Sequence, residues 1–298
     1  MMTRILAVGG DRRQTLLVRL LGGLGQVDTL AVPDCRDTVE DRTYDLLVLP
    51  CPTLDPSGNL RVGSASAPYA AGPDLAGDTK KRLVPGDLLP YCGPKTRVFG
   101  GGLPGRAHLP VPLERAEDLL ADPRVKAANG RLTAESVFFL PRKGKSLSGA
   151  RCLIFGWGCI AKPLSLLLRA FGAQVTVAAR RETARAEAEG FGLTAVGFSE
   201  IGGAFDFVYN TVPAQTLSGA QLAGLGPDCQ WVELASAPGG LPDSPPAELA
   251  RVAAGGLPDS PPAELARVAA GGLPGRYLPD AAAKVLFAGI VRALEGSI

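Results

Sequence analysis

At residues 156–161 the chain reads Gly-Trp-Gly-Cys-Ile-Ala, directly after the apolar run Cys152–Phe155 and at the start of a helical run, Ile160–Phe171. A strand, a glycine turn and a helix in that order form the phosphate-binding corner of a Rossmann domain. Gly156 permits the tight turn, Gly158 lets backbone approach a pyrophosphate, and the small Ala161 allows close helix–strand packing. Trp157, Cys159 and Ile160 complete the loop. The helix N-terminus adds free N–H groups and a positive dipole end. Pro163 falls within the first turn, where a missing N–H has no intrahelical acceptor. A glycine-rich structural turn is the bland alternative to a dinucleotide site.

The residues around the loop continue the same rhythm. Gln174–Ala179, Phe205–Tyr209 and Gln230–Leu234 read as further strands, and Glu182–Glu189 and Ala214–Ala223 as helices. Residues 1–131 repeat the pattern more loosely. Ile5–Val8, Val27–Val32, Asp45–Leu49 and Arg97–Phe99 read as buried parallel strands, Gln14–Leu21 and Leu113–Leu120 as helices, and 52–95 as long loops. Thr133–Leu140, followed by the basic turn 142–145, reads as a helix crossing from a first domain (1–131) through a linker (132–146) into a second (147–278). Asp280–Leu294 has apolar residues at helical spacing, so 279–298 is expected to return to the first domain. The predicted class is α/β, with two Rossmann-like open parallel-sheet domains, crossover helices and a cleft between them.

Residues 239–254, GGLPDSPPAELARVAA, recur unchanged as 255–270. Two copies are too few for a solenoid. Ser244 as N-cap and Pro245 at the first helical position predict a helix over Ala247–Ala254. One copy is expected to supply the helix and strand the fold requires, and the other to loop out or extend that helix.

Composition removes several function classes. A net charge of +2 over 298 residues leaves no electrostatic footprint for nucleic acid or a membrane surface. The longest apolar runs are about half the length that spans a bilayer. Met1–Val8 reads as a first strand, not a signal peptide. The six cysteines include no Cys-x-x-Cys pair, and His108 is the single histidine, so no metal site is predicted. Reduced, buried thiols of a cytoplasmic protein fit that pattern.

Cofactor choice turns on the end of the second strand of this domain. An NAD-selective site places a carboxylate there for the ribose 2′-hydroxyl. Here the strand ends at Ala179, followed by Arg180 and Arg181. Guanidinium groups suit a 2′-phosphate, so NADP is favoured and NAD tolerated, with a plain helix-start role as the alternative. Asn210, Thr211, Val212 and Pro213 end one strand, and Ala235 and Ser236 another, on the carboxyl edge where open α/β sheets bind ligands. In the first domain, Gly9-Gly10-Asp11-Arg12-Arg13-Gln14 follows the first strand and could hold an anion.

GGDRRQ at 9–14, NGRLTAE at 129–135, the FGWGCIA loop, NTVP at 210–213, ELASAPGG at 233–240 and LPGRYLP at 273–279 occur in this order. Together they resemble the NAD(P)-binding dehydrogenase subunit of dipicolinate synthase over nearly the whole chain, although the family loop usually has Gly where Ala161 stands. The resemblance implies an NAD(P)-dependent dehydrogenase that makes pyridine-2,6-dicarboxylate in the mother-cell cytoplasm of a sporulating bacterium. It also implies a partner, the flavoprotein-like B subunit; a homo-oligomer stays open. The implied substrate is a dicarboxylate, for which Arg13 is the first expected ligand, with Gln14 and Thr133 as neutral donors and Ser236 at the second carboxylate. Asn129 is expected to orient the ring, and Glu135 or Asp11 to take a proton. Asp11 as a helix cap and Glu135 as an ion-pair partner are their bland readings. A D-2-hydroxyacid dehydrogenase would need a histidine beyond the cofactor loop, and none follows residue 108. A shikimate-dehydrogenase-like enzyme and a non-catalytic dinucleotide sensor are the remaining rivals.

Overall fold

The computed structural model describes residues 2–55, 57–62, 82–103, 109–218, 221–222, 224–225, 228–236, 239–241, 266–269 and 272–296. The expected helix at 247–254 and His108 lie outside them. The chain forms two units: Met1–Leu132 with Pro274–Ile298, and Thr133–Leu273. No helix among the described residues is long and apolar enough to cross a membrane.

The first unit holds β1 (Thr3–Val8), β2 (Gly25–Leu30), β3 (Tyr44–Val48), β4 (Cys92–Gly100) and β5 (Ala116–Asp118), in the order β2-β1-β3-β4-β5. All neighbours are parallel. Alternate residues enter opposite layers, which is why these strands read as continuous apolar runs. Ile5, Leu46 and Val48 pack with Leu17 and Leu21 of α1 (Arg12–Leu21) and with Ala283, Leu286 and Ile290 of the last helix, α6 (Pro279–Glu295). Leu6, Val8, Leu47 and Val98 pack on the other face with Leu83 and Leu88.

Two expectations for this region are corrected. Leu113–Leu120 is not a helix: a short turn, Leu113–Arg115, leads into β5, which pairs Val98 with Ala116 and Gly100 with Asp118. The strand stops where the Asp118 carboxylate accepts the amides of Gly102, Leu103 and Leu120, at 2.9, 3.2 and 2.9 Å. Among the described residues of the expected loop region 52–95, Pro85–Tyr91 forms a 3-10 helix and β4 has already begun at Cys92.

The crossover helix, α2, runs Pro123–Ser136 and gives way to a 3-10 turn at Val137–Phe139, not the predicted Thr133–Leu140. Its start is written in Asp122-Pro123. The Asp122 carboxylate accepts the amide of Arg124 at 2.7 Å, and proline sits where no N–H is needed.

The second unit contains β6 (Arg151–Phe155), α3 (Ala161–Ala170), β7 (Gln174–Ala178), α4 (Glu182–Gly190), β8 (Thr194–Val196), β9 (Phe207–Asn210), β10 (Gln230–Glu233) and β11 (Ala266–Ala269). The sheet order is β11-β10-β9-β6-β7-β8, again parallel throughout. The winding reverses between β6 and β9, the switch point at which such sheets bind ligands. Leu153, Phe155, Val208 and Trp231 fill one layer with Leu217 and Leu222. Within the expected helix Ala214–Ala223, residues 214–218 are not helical, Gln221 and Leu222 are, and 219, 220 and 223 lie outside the described residues. The backbone turns away because the Thr216 amide and hydroxyl both bond the Gly240 carbonyl, at 3.0 and 3.2 Å.

In the second copy of the duplication, Ala266–Ala269 forms β11, where the helix grammar of the unit had pointed to a helix. Removing either copy yields the same chain, because the copies are identical. That deletion keeps the Ala-Arg-Val-Ala strand and leaves sixteen residues after Glu233, enough for the dozen or more that a parallel crossover needs. Halving the loop changes closure entropy by only ~0.6 kcal/mol. The Δ239–254 variant is expected to be soluble, to melt within about 5 °C of the parent and to keep cofactor affinity. An insoluble product in expression and melting trials would contradict this.

Candidate functional site

The loop after β6 has the shape its sequence requires. Gly156 sits at φ +92°, and a β-carbon there would lie 2.8 Å from Thr211 Oγ1 and 3.0 Å from Val212 Cγ2. Thr211 holds this corner by donating its hydroxyl to the Phe155 carbonyl at 2.6 Å. Gly158 differs: it is exposed, and a β-carbon there would meet no protein atom within 4 Å. The amides of Cys159, Ile160 and Ala161 donate no hydrogen bond among the described residues, and α3 begins at once. Open space above a glycine, with free amides at a ten-residue helix start, fits a pyrophosphate.

Trp157 supports the loop from below. It is buried, with its ring 6.0 Å from that of Phe191 and Lys162 Nζ 5.8 Å from its centroid. Lys162 is held by Glu187 at 2.5 Å, and that hydrogen bond draws the Glu187 carboxyl below its ordinary range. At the end of β7, Ala179 is buried while Arg180 and Arg181 are exposed. Arg185 fixes this turn by donating to the carbonyls of Ala179 and Arg180, both at 2.9 Å. The Arg180 guanidinium has no ion-pair partner among the described residues.

On the other half of the sheet, Asn210 faces inward. It is fully buried, donates to Glu233 Oε1 at 2.7 Å and to the Val212 carbonyl at 2.9 Å, and accepts the Val212 amide at 3.1 Å. Glu233, also buried, has no distinguishing signal in the sequence, although it opens the ELASAPGG segment. Besides Asn210 it accepts the amide of Ala235 at 3.2 Å, the amide of Gly240 at 3.0 Å and Trp231 Nε1 at 3.2 Å. The glycine pair is required here. Gly239 sits at φ +85°, and a β-carbon on Gly240 would lie 2.5 Å from Asn210 Nδ2. Val212 and Ala235 are half-buried at this edge, and Pro213 and Ser236 are exposed.

In the first unit, Asp11 caps α1 by accepting the Arg13 amide at 2.9 Å. The same carboxylate grips the Arg13 guanidinium, with Nη2 at 2.6 Å and Nε at 2.9 and 3.1 Å. Burial opposes the charge on Arg13, but the adjacent Asp11 more than offsets it, so the guanidinium pKa is raised. Nη1 makes no hydrogen bond among the described residues. Gln14 is buried and donates to the Val48 carbonyl at 2.8 Å. Gly9 and Gly10 do not present their amides to an anion, since these bond Leu30 and Arg61 carbonyls at 2.9 and 2.6 Å. Burial pushes the nearby Cys51 thiol up to about 11 despite Arg13.

Gly275, within α5 (Leu273–Tyr277), completes this corner: a β-carbon there would lie 2.5 Å from Arg13 Nε. Only the LPGRYLP motif signals it in the sequence. On α2, Asn129 is half-buried and Thr133 buried one turn later on the same face. Glu135, two residues on, is exposed and lies off that face.

The comparisons agree with this geometry. Residues 124–220 match the model for the NAD binding domain of D-isomer specific 2-hydroxyacid dehydrogenases. No curated protein sequence matches the chain. Among solved structures, the A chain of dipicolinate synthase from Bacillus subtilis superposes with a TM-score of 0.73 at 19% identity, covering 99% of this chain and 97% of that one. The corresponding dipicolinate synthase subunit from Bacillus halodurans gives 0.72 at 20% identity, with 98% and 97% covered. A transhydrogenase from Sinorhizobium meliloti gives 0.59 at 12% identity, over 98% and 92%. The chain is thus similar over its full length to these dipicolinate synthase subunits, with the same α/β fold of two Rossmann-like units.

Proposed function

We propose that this chain is an NADP-preferring dehydrogenase that oxidises dihydrodipicolinate to dipicolinate, the role its motifs and full-length fold neighbours support. The observation that carries the reading is the exposed Gly158 turn with three free amides beside an Arg180-Arg181 strand end that lacks a carboxylate. When bound, the dinucleotide supplies the hydride acceptor. Gly156–Ala161 would hold its pyrophosphate and Arg180 and Arg181 a 2′-phosphate.

The protein's remaining task is to bind a dianion, orient its ring and accept one proton. Arg13, fixed by Asp11 and with Nη1 unused, is the carboxylate anchor; Asn129 and Thr133 share a face suited to orienting the ring. The reaction removes a hydride and a proton from adjacent ring positions, and aromatisation supplies the driving force. A weak base therefore suffices. Asp11, whose side chain is 37% exposed, lies against Arg13 and is preferred over Glu135, which lies off the Asn129–Thr133 face. A flavoprotein-like B subunit is the partner proposed on the same resemblance.

The test is steady-state turnover with dihydrodipicolinate and either cofactor, with and without the B subunit. Reduced cofactor should appear together with pyridine absorbance, faster with NADP. Tight cofactor binding with no turnover under any of these conditions would favour a dinucleotide sensor instead. For selectivity, the Arg180→Ala/Arg181→Ala double variant is expected to weaken NADP about 10–100-fold and NAD less than about threefold, as loss of a charge-assisted contact predicts. Equal losses for both cofactors, measured by calorimetric titration, would remove these arginines from the 2′-phosphate.

A further inference from the structure

Glu233 is a buried carboxylate, 6% exposed, without a cationic partner among the described residues. All four groups that reach its two oxygens are N–H donors: Asn210 Nδ2, the amides of Ala235 and Gly240, and Trp231 Nε1. Four N–H donors thus converge on the two oxygens of a single carboxylate. A buried negative charge with only neutral donors is costly compared with an apolar or amide side chain.

Its position gives the charge a use. Glu233 ends β10 beside Asn210 of β9, and Asn210 in turn pairs with Phe155, the residue before the Gly156 turn. The 2′-phosphate determinants stand at the end of β7, on the opposite side of the switch point, so the adenosine half of a dinucleotide belongs over β7 and the nicotinamide half over β9 and β10. We infer that the Glu233 carboxylate is an electrostatic selector for the oxidised cofactor, stabilising the positively charged nicotinamide ring over the neutral reduced ring. This inference rests on the dinucleotide reading of the preceding subsection. Glu233 acts through space from beneath the sheet edge and is not a catalytic residue.

The test compares equilibrium affinities for NADP+ and NADPH, measured separately by calorimetry at fixed low salt. Wild type should bind NADP+ more tightly than NADPH. A separation of ~10 Å at an effective dielectric of about 20 corresponds to roughly a tenfold effect on a unit charge. Glu233→Gln should therefore weaken NADP+ about tenfold and NADPH less than about threefold, while Glu233→Asp, which keeps the charge, should retain the wild-type ratio even if both affinities fall. Equal losses for both forms in Glu233→Gln would reduce the residue to a structural tie. A wild-type preference for NADPH would overturn the proposal even if Glu233→Gln did not fold. Failure of wild type to bind either form would instead strike the cofactor reading itself.

Discussion

Gly158→Asp is expected to abolish dinucleotide binding, by at least about 100-fold, while the melting temperature stays within about 2 °C of wild type. The separation follows from the empty space at that position: a β-carbon on Gly158 meets no protein atom within 4 Å, so the folded chain has nothing to lose. The carboxylate would, however, fill the volume and reverse the charge where the free amides of Cys159, Ile160 and Ala161 converge. Gly156→Ala provides the contrast. Its φ of +92° and the Thr211 hydroxyl 2.8 Å from a β-carbon make the substitution strained as well as obstructive. That variant should lose both cofactor affinity and about 1–3 kcal/mol of stability. Thermal melts paired with cofactor titrations distinguish the two glycines. A Gly158→Asp variant that binds normally would mean that the turn is only structural.

The second large effect concerns Arg13. Truncating a buried charged anchor costs about 2–5 kcal/mol at a charged contact, so Arg13→Ala should raise the substrate KM by roughly 30-fold or more. Cofactor affinity should stay within about threefold, since Arg13 belongs to the first unit and the dinucleotide turn to the second. Asp11 would be left without its guanidinium but remain the cap of α1, which limits the loss of stability. Steady-state kinetics alongside cofactor titration checks both halves of this expectation. If NADP binding falls as much as substrate binding does, Arg13 has been assigned to the wrong ligand.

Much of this molecule can be read from local pattern. Buried parallel strands such as Leu153–Phe155 and Ile5–Val8 are short apolar runs followed by glycine, and that signal survives without tertiary knowledge. The Gly156–Ala161 loop is legible for the same reason, since its chemistry and its neighbours lie within ten residues. Pattern misleads where tertiary pairing overrides spacing. Leu113–Leu120 has apolar residues a helix could use, but Ala116–Asp118 extends to pair with β4. Thr216 breaks an apparent helix because its backbone and hydroxyl are drawn to Gly240, 24 residues away. The start of α2 is legible in Asp122-Pro123, a capping signal that apolar periodicity alone does not register.

The site divides along the same line. Asp11 is readable both as a cap and as a functional carboxylate, and the structure shows it capping α1 while also fixing Arg13. Glu135 is legible only as part of a motif; helical geometry places it off the face shared by Asn129 and Thr133. Glu233 has no sequence signal of its own. Its four donors come from positions 210, 231, 235 and 240 and meet only once β9, β10 and the loop after them are assembled. Gly275 reaches the Asp11–Arg13 pair from more than 250 residues along the chain, a proximity no local spacing can announce.

The most direct test of the dinucleotide site is an equilibrium titration of the wild-type chain with NADP+ and NAD+, repeated on Gly158→Asp. Saturable one-to-one binding of both is expected, tighter for NADP+, with loss of both in the variant and no loss of fold. Absence of binding in wild type, or binding that Gly158→Asp leaves unchanged, would contradict it.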